Sequence, residues 1–366
     1  MSMNMNPNPV NQTPANQNPT STLAASLSDH IAAALPEPKV LNARWGKLEI
    51  LFWLLPFVAY FAFEGYLVLA SQIMIVGLFA LSLDLILGYA GIVSLGHAAF
   101  FGLGAYTAGL LAVHGWGEPL SGLAAAAIVA AIFGWLTSFL VVRGHELTRL
   151  MVTLGICLML FEVANKAAFL TGGVDGLWGV QMWKLLGLFE FDLQGRVGFF
   201  YSFALLFILF CLIRRITRST FGLSLVGIRE GGKRMPAIGT HVNQRLVVVY
   251  TLGAAIAGVA GALLAQTTQF VGLDVLGFNR SAELIIVLVL GGTGRLYGAL
   301  IGAAIFMIAQ DQIANINPVY WQFWIGFFLI IIVMLGRGGI LGAVDSYRAY
   351  RQQRARNQAE AAGKAA

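Results

Sequence analysis

Leu246-Val-Val-Val-Tyr-Thr-Leu-Gly-Ala-Ala-Ile-Ala-Gly-Val-Ala-Gly-Ala-Leu-Leu-Ala-Gln-Thr-Thr-Gln-Phe270 contains no ionisable group of the Asp, Glu, Lys, Arg or His type. As an α-helix rising about 1.5 Å per residue, such a run is long enough to cross a hydrocarbon core of roughly 30 Å. Just before it stands a polar, basic insert, Val226-Gly-Ile-Arg-Glu-Gly-Gly-Lys-Arg-Met-Pro-Ala-Ile-Gly-Thr240, behind an edge formed by Arg214, Arg215 and Arg218. A membrane span beside a basic connection is the pattern from which the rest of the chain is read.

Outward from that run the pattern repeats. The apolar segments are 49–63, 66–87, 91–113, 119–141, 148–169, 197–213, 246–270, 276–292, 296–314 and 320–336. Of the 366 residues 58% are hydrophobic and 11% are charged, against about 25% charged in a soluble domain. The fold class expected is all-α, a polytopic transmembrane helical bundle of about ten segments. Outer-membrane strands would alternate apolar and polar residues, and these runs do not. Residues 1–47, rich in Asn, Pro, Gln, Ser and Thr near the start, read as a disordered N-terminal tail, without the basic-then-apolar opening of a secretory signal. Residues 48–342 read as the membrane domain and 343–366 as a basic C-terminal tail.

The charges orient the bundle. Arg143, the seven Lys and Arg residues from Arg214 to Arg245, Arg295, and the tail arginines Arg348, Arg351, Arg354 and Arg356 fall on one side if both termini are cytoplasmic. Lys166, Lys184, Arg196 and Arg280 are the few basic residues toward the other side. Cytoplasmic loops are enriched in Lys and Arg, so both termini are placed inside, and the net charge of +6 is assigned to positive-inside loops rather than to nucleic acid. The longest external connection, about 170–196, opens with Thr171-Gly-Gly-Val-Asp-Gly176, which reads as a turn.

The two halves echo each other. Leu87-Gly-Tyr-Ala-Gly91 is answered by Leu290-Gly-Gly-Thr-Gly294, each followed by a helix rich in small residues. Glycine-interrupted segments at corresponding places point to a transport pathway; close helix packing through small residues gives the same letters. Gly88, Gly91, Ser94, Gly96, His97, Ser281, Glu283, Gly291, Gly292 and Gly294 are therefore the candidate pathway residues. Ionisable groups at membrane depth are costly and often functional. Asp84 and His97 bracket the first break and are expected to bond backbone groups freed there. Glu283 either faces the pathway or makes a hydrogen-bonded helix contact. Glu64 reads as interfacial, and Glu162 and Asp311 carry no assignment.

No nucleophile–base set, HExxH, GxSxG or GxxxxGK[ST] pattern is present, and Cys157 and Cys211 lack metal or disulfide spacing. The chain reads as a transport subunit with no cofactor of its own rather than an enzyme; if ATP drives it, another subunit binds the nucleotide. The polar connection 214–245 is expected to form a short helix along the membrane face, where Arg229 and Glu230 offer paired charges to a partner.

Taken in order, the motifs resemble the permease subunits of branched-chain amino acid ABC importers, the LivM type in particular. The resemblance covers roughly 70–342. It rests on Gly88–His97 with Ala98–Tyr106, Arg143-Gly144, Val152–Gly155, Thr171-Gly-Gly173 with Gly176, and Gly222. It continues through Ile228-Arg-Glu230, Ala237-Ile-Gly239, Ala257-Gly258, Ala260-Gly261, Ser281, Leu290-Gly-Gly292 with Gly294, and Gly339-Ile-Leu-Gly342. It implies a multi-pass protein of the bacterial inner membrane. Its implied partners are a second permease subunit, two ATPase subunits that bind ATP, and a periplasmic substrate-binding protein. It also implies an ATPase-docking loop over Gly222, Arg229, Glu230, Arg234 and Gly239. The family usually continues Arg-Glu with Asn-Glu, where this chain has Gly231-Gly232. Permeases for urea, short amides and aromatic acids share the pattern, and a self-sufficient channel or secondary transporter is the alternative of a different class.

Overall fold

A computed structural model describes residues 46–330 except 63, 186, 188, 190–193, 322, 328 and 329. The chain divides into residues 1–53 and residues 54–366. The expected tails 1–47 and 343–366, the end of the tenth segment and Gly339–Gly342 lie wholly or mostly outside the described residues.

The helices are α1 (Lys47–Ala62), α2 (Leu67–Asp84), α3 (Ala98–Val113), α4 (Pro119–Arg143), α5 (Glu146–Lys166), α6 (Arg196–Thr217), α7 (Thr220–Gly231), α8 (Val242–Thr268), α9 (Phe278–Gly291) and α10 (Leu296–Ile316). Among the described residues there is no β-strand beyond two isolated bridges. Among the described residues, six helical runs are long and apolar enough to cross a membrane: Leu67–Tyr89, Pro119–Arg143, Leu147–Lys166, Arg196–Thr217, Val242–Thr268 and Leu296–Ile316. The run read as 91–113 is helical only from Ala98, because residues 90–97 leave the helix. Pro119 starts α4, where its missing N–H costs no intrahelical bond. The Thr171–Gly176 turn is as expected, with Gly172, Gly173 and Gly176 at positive φ.

The stretch that opened the sequence reading is the centre of the bundle. Helix α8 packs along α4 and α3 and also meets α2, burying Ala254, Ala257, Ala260 and Leu263. Lipid tails are as apolar as leucine, so helices in a membrane gain from close backbone approach and dense packing rather than from escaping the solvent. Here the approach is at its limit. A Cβ on Gly104 of α3 would lie 2.0 Å from the Gly258 carbonyl oxygen of α8, and one on Gly261 would lie 1.8 Å from the Phe101 carbonyl oxygen. Two buried polar contacts fix the register at the far end of α8: Gln266 donates to the Pro119 carbonyl at 2.8 Å and accepts from the Tyr201 hydroxyl at 2.7 Å. Outward faces are apolar too. Met151, Met159 and Val163 of α5 are exposed, as suits a surface against lipid.

Glycine substitutions separate packing from propensity. Gly104→Val should lower stability by about 1–3 kcal/mol or more through overpacking. Gly155→Ala, with nothing within 4 Å of the added carbon, should be neutral or gain roughly 0.5–1 kcal/mol from helix propensity. Thermal unfolding in detergent reads both; a Gly104→Val protein as stable as wild type would contradict this packing.

Candidate functional site

The two glycine breaks meet in space. Helix α2 widens into a π-turn over Leu85–Tyr89, after which residues 90–97 run as irregular backbone. Non-helical backbone at membrane depth persists only when it is buried in protein or lines a cavity, because lipid offers no hydrogen bonds. Several of the freed groups have partners, some local and some from distant helices. The Ile92 N–H returns to the Ile86 carbonyl at 3.1 Å. The Leu95 N–H donates to Thr153 Oγ1 of α5 at 3.2 Å. The Ala98 N–H, at the start of α3, donates to Ser281 Oγ of α9 at 3.0 Å.

Asp84 and Arg229 close the junction between the halves. Asp84 is fully buried, and its Oδ1 accepts the Gly294 N–H at 2.7 Å. Arg229 reaches back from α7 and donates through Nη1 to the Gly88 carbonyl. Space at this point admits only glycine. A Cβ on Gly88 would sit 2.1 Å from Asp84 Oδ1 and 2.5 Å from the Gly294 nitrogen. Gly91 has φ +72, with the Arg229 side chain packed against it, and Gly294 has φ +78. Asp84 thus bonds a backbone group as expected, but it is the one freed at the other half's break.

Arg229 and Glu230 do lie near each other, at 3.6 Å. Both retain exposed surface, 38% for Arg229 and 70% for Glu230, and Arg229 in addition is tied to the Gly88 carbonyl. Arg234, Ile238 and Gly239 are exposed beside Glu230, on the turn that follows α7. A Cβ on Gly222 would meet the Thr217 carbonyl oxygen at 2.0 Å, so this glycine lets α7 fold tightly against the end of α6. Arg245 lies over the Phe221 ring, 5.2 Å from its centre.

The remaining pathway candidates fall into separate groups. His97 Nε2 is 2.8 Å from Ser82 Oγ, and its ring stacks on Phe79 at 5.5 Å; it bonds a side chain rather than the opened backbone. Gly96 lies against the Thr153 carbonyl, and Gly291 packs on Gly298 where α9 crosses α10. Ser94 is buried, and Gly292 ends α9 with φ +99. Glu283 pairs with Arg280, one turn earlier, at 3.1 Å. Asp311 accepts from Asn315 at 3.3 Å, and Glu162 is exposed on α5. Thr153 and the Asp84–Gly294 bond escaped the sequence reading: threonines in apolar helices are common, and nothing local pairs positions 210 residues apart.

Residues 65–334 match the family described as branched-chain amino acid transport system / permease component. The chain belongs to this family. Among relatives of this permease, LivM of Salmonella typhimurium, a high-affinity branched-chain amino acid transport system permease protein, is 27% identical, covering 76% of this chain and 70% of the relative. BraD of Pseudomonas aeruginosa, of the same description, is 27% identical over 72% of this chain and 91% of its own. LivH of Escherichia coli K12 is 24% identical over 72% and 90%. No solved structure matches the permease.

The junction predicts a graded response. Asp84→Ala should cost the permease about 1–3 kcal/mol, the cost of leaving a buried N–H unmade. Asp84→Asn, which keeps an acceptor for Gly294, should lose less. Thermal midpoints in detergent check the order, and an Asp84→Ala protein as stable as wild type would contradict it.

Proposed function

We propose that this permease is the translocation subunit of an importer for branched-chain amino acids in the bacterial inner membrane, working beside a second permease subunit. Two ATPases bind ATP at the cytoplasmic face, and a periplasmic binding protein delivers the solute. The relatives' names support the substrate class. The distribution of Lys and Arg supports placing the α6–α7 end and both termini in the cytoplasm. The departure at Gly231-Gly232 leaves Glu230, Arg234, Ile238 and Gly239 as the exposed surface for an ATPase.

The observation that carries the mechanism is the inward bond of Arg229. An ATPase pressing on α7 moves a side chain bonded to the Gly88 carbonyl and packed against Gly91, with Gly294 beside it. The two glycine breaks, held to each other by Asp84, then shift together. Packed interfaces tend to be bistable, so a small displacement at one end selects between outward- and inward-open arrangements. ATP acts only through its differential affinity for those two states. Arg229 is on this account a transmission element, and Glu230 with Arg234 belongs to the contact itself.

The two roles come apart by mutation. In proteoliposomes holding the assembled importer, Arg229→Ala should retain the ATPases and their hydrolysis but lose uptake by about tenfold or more, as when a charged hydrogen bond is removed. Glu230→Ala combined with Arg234→Ala should instead reduce co-purification of the ATPases. Full coupling in Arg229→Ala, or uptake by the permease alone without ATP, would overturn the assignment.

A further inference from the structure

A cavity of about 200 Å³ lies among α2, α3, α8, α9 and α10. Its polar wall is Arg280 and Glu283, with Gln72 and Gln310 from the neighbouring helices, and Phe79 and Val287 are among its apolar lining. On α2 its lining runs from Gln72 to Phe79, which places the cavity roughly 8–18 Å along the helix from Asp84.

The ion pair is the unusual feature. Arg280 and Glu283 are 27% and 29% exposed, and both belong to the cavity lining. Ionisable residues in membrane segments mark solute paths more often than they serve stability. Opposite charges side by side, above an apolar hollow, complement a molecule that carries adjacent carboxylate and ammonium groups and an aliphatic tail. We infer that this cavity binds the zwitterionic head of an aliphatic α-amino acid: Arg280 takes the carboxylate, Glu283 takes the ammonium, and the apolar walls take the side chain. Gln72 and Gln310 supply further amide donors and acceptors. The inference rests on the importer reading above and assigns the solute-contacting residues within it.

The site is wired to the broken segment. Ser281, between the two charged residues, caps α3 through the Ala98 N–H. Phe79, on the cavity wall, stacks on His97 and packs 4.4 Å from Phe101. Filling the cavity therefore bears on residues 97–101, the start of α3.

The test is competition against radiolabelled leucine on the purified importer complex without its binding protein, paired with uptake by the complete system. Unlabelled leucine should displace the label about tenfold or more better than leucinamide, which lacks the carboxylate, or 4-methylpentanoate, which lacks the ammonium. Arg280→Gln should abolish the preference for leucine over leucinamide, and Glu283→Gln the preference over 4-methylpentanoate, while Asp311→Asn, bonded to Asn315 instead, keeps both. A loss confined to folding would weaken every competitor alike and move neither preference, which would overturn the site. Normal leucine uptake with unchanged preferences in both variants would overturn the site and leave the importer reading standing. A complete wild-type system that moves no branched-chain amino acid would overturn the importer reading and the inference with it.

Discussion

The arginine of α7 that donates to the carbonyl of Gly88 is the contact on which the rest of the structure depends. A helix opened at membrane depth exposes N–H and C=O groups that lipid cannot satisfy, each costing several kcal/mol. The chain meets that demand at Leu85–His97 with donors and acceptors from distant segments. Arg229 comes from the polar connection, Thr153 from α5, Ser281 from α9, and Asp84 links the first break to the second. Remove that set and α2 has no reason to stop being a helix.

The glycines follow from the same constraint. Gly88, Gly91 and Gly294 stand where an added carbon would strike the carboxylate, the guanidinium stem or the facing backbone. Gly104 and Gly261 serve a different end, bringing α3 and α8 to backbone contact, and Gly258 lets α8 approach α4. One group lies at the junction of the two breaks and the other along the packed helices. The cavity at Arg280 and Glu283 is reached from the joint through Ser281 and Phe79, so the polar end at α7 and the solute-sized hollow are joined by contiguous packed groups. That continuity is a physical route for the coupling proposed above.

Much of this was legible in the letters. Long uncharged runs announced α8, α4 and α6 because hydrocarbon thickness sets their length. The echo of Leu87–Gly91 in Leu290–Gly294 marked both halves of the joint, and Asp84 stood out as a carboxylate one turn before a break. Three things were hidden. The non-helical path of 90–97 was masked by its apolar residues, since hydropathy records burial and not backbone shape. The bond of Arg229 to Gly88 was hidden, because that partner is a carbonyl 141 residues away. Arg280 was counted among the few basic residues toward the far side; its pairing with Glu283 follows from i,i+3 spacing, but its place on the cavity wall depends on how α9 is rotated against α2 and α10.

The most direct measurement is amide hydrogen exchange at the joint in wild type and in Arg229→Ala, in detergent and without nucleotide. If Arg229 holds the two breaks together, exchange should rise selectively at Gly91, Ile92 and Gly294, while the amides of α8 from Gly253 to Leu263 stay protected. Unchanged exchange at those three amides, or a uniform rise that includes α8, would mean that the joint holds without Arg229 or that the whole bundle has loosened, and either result would contradict the account.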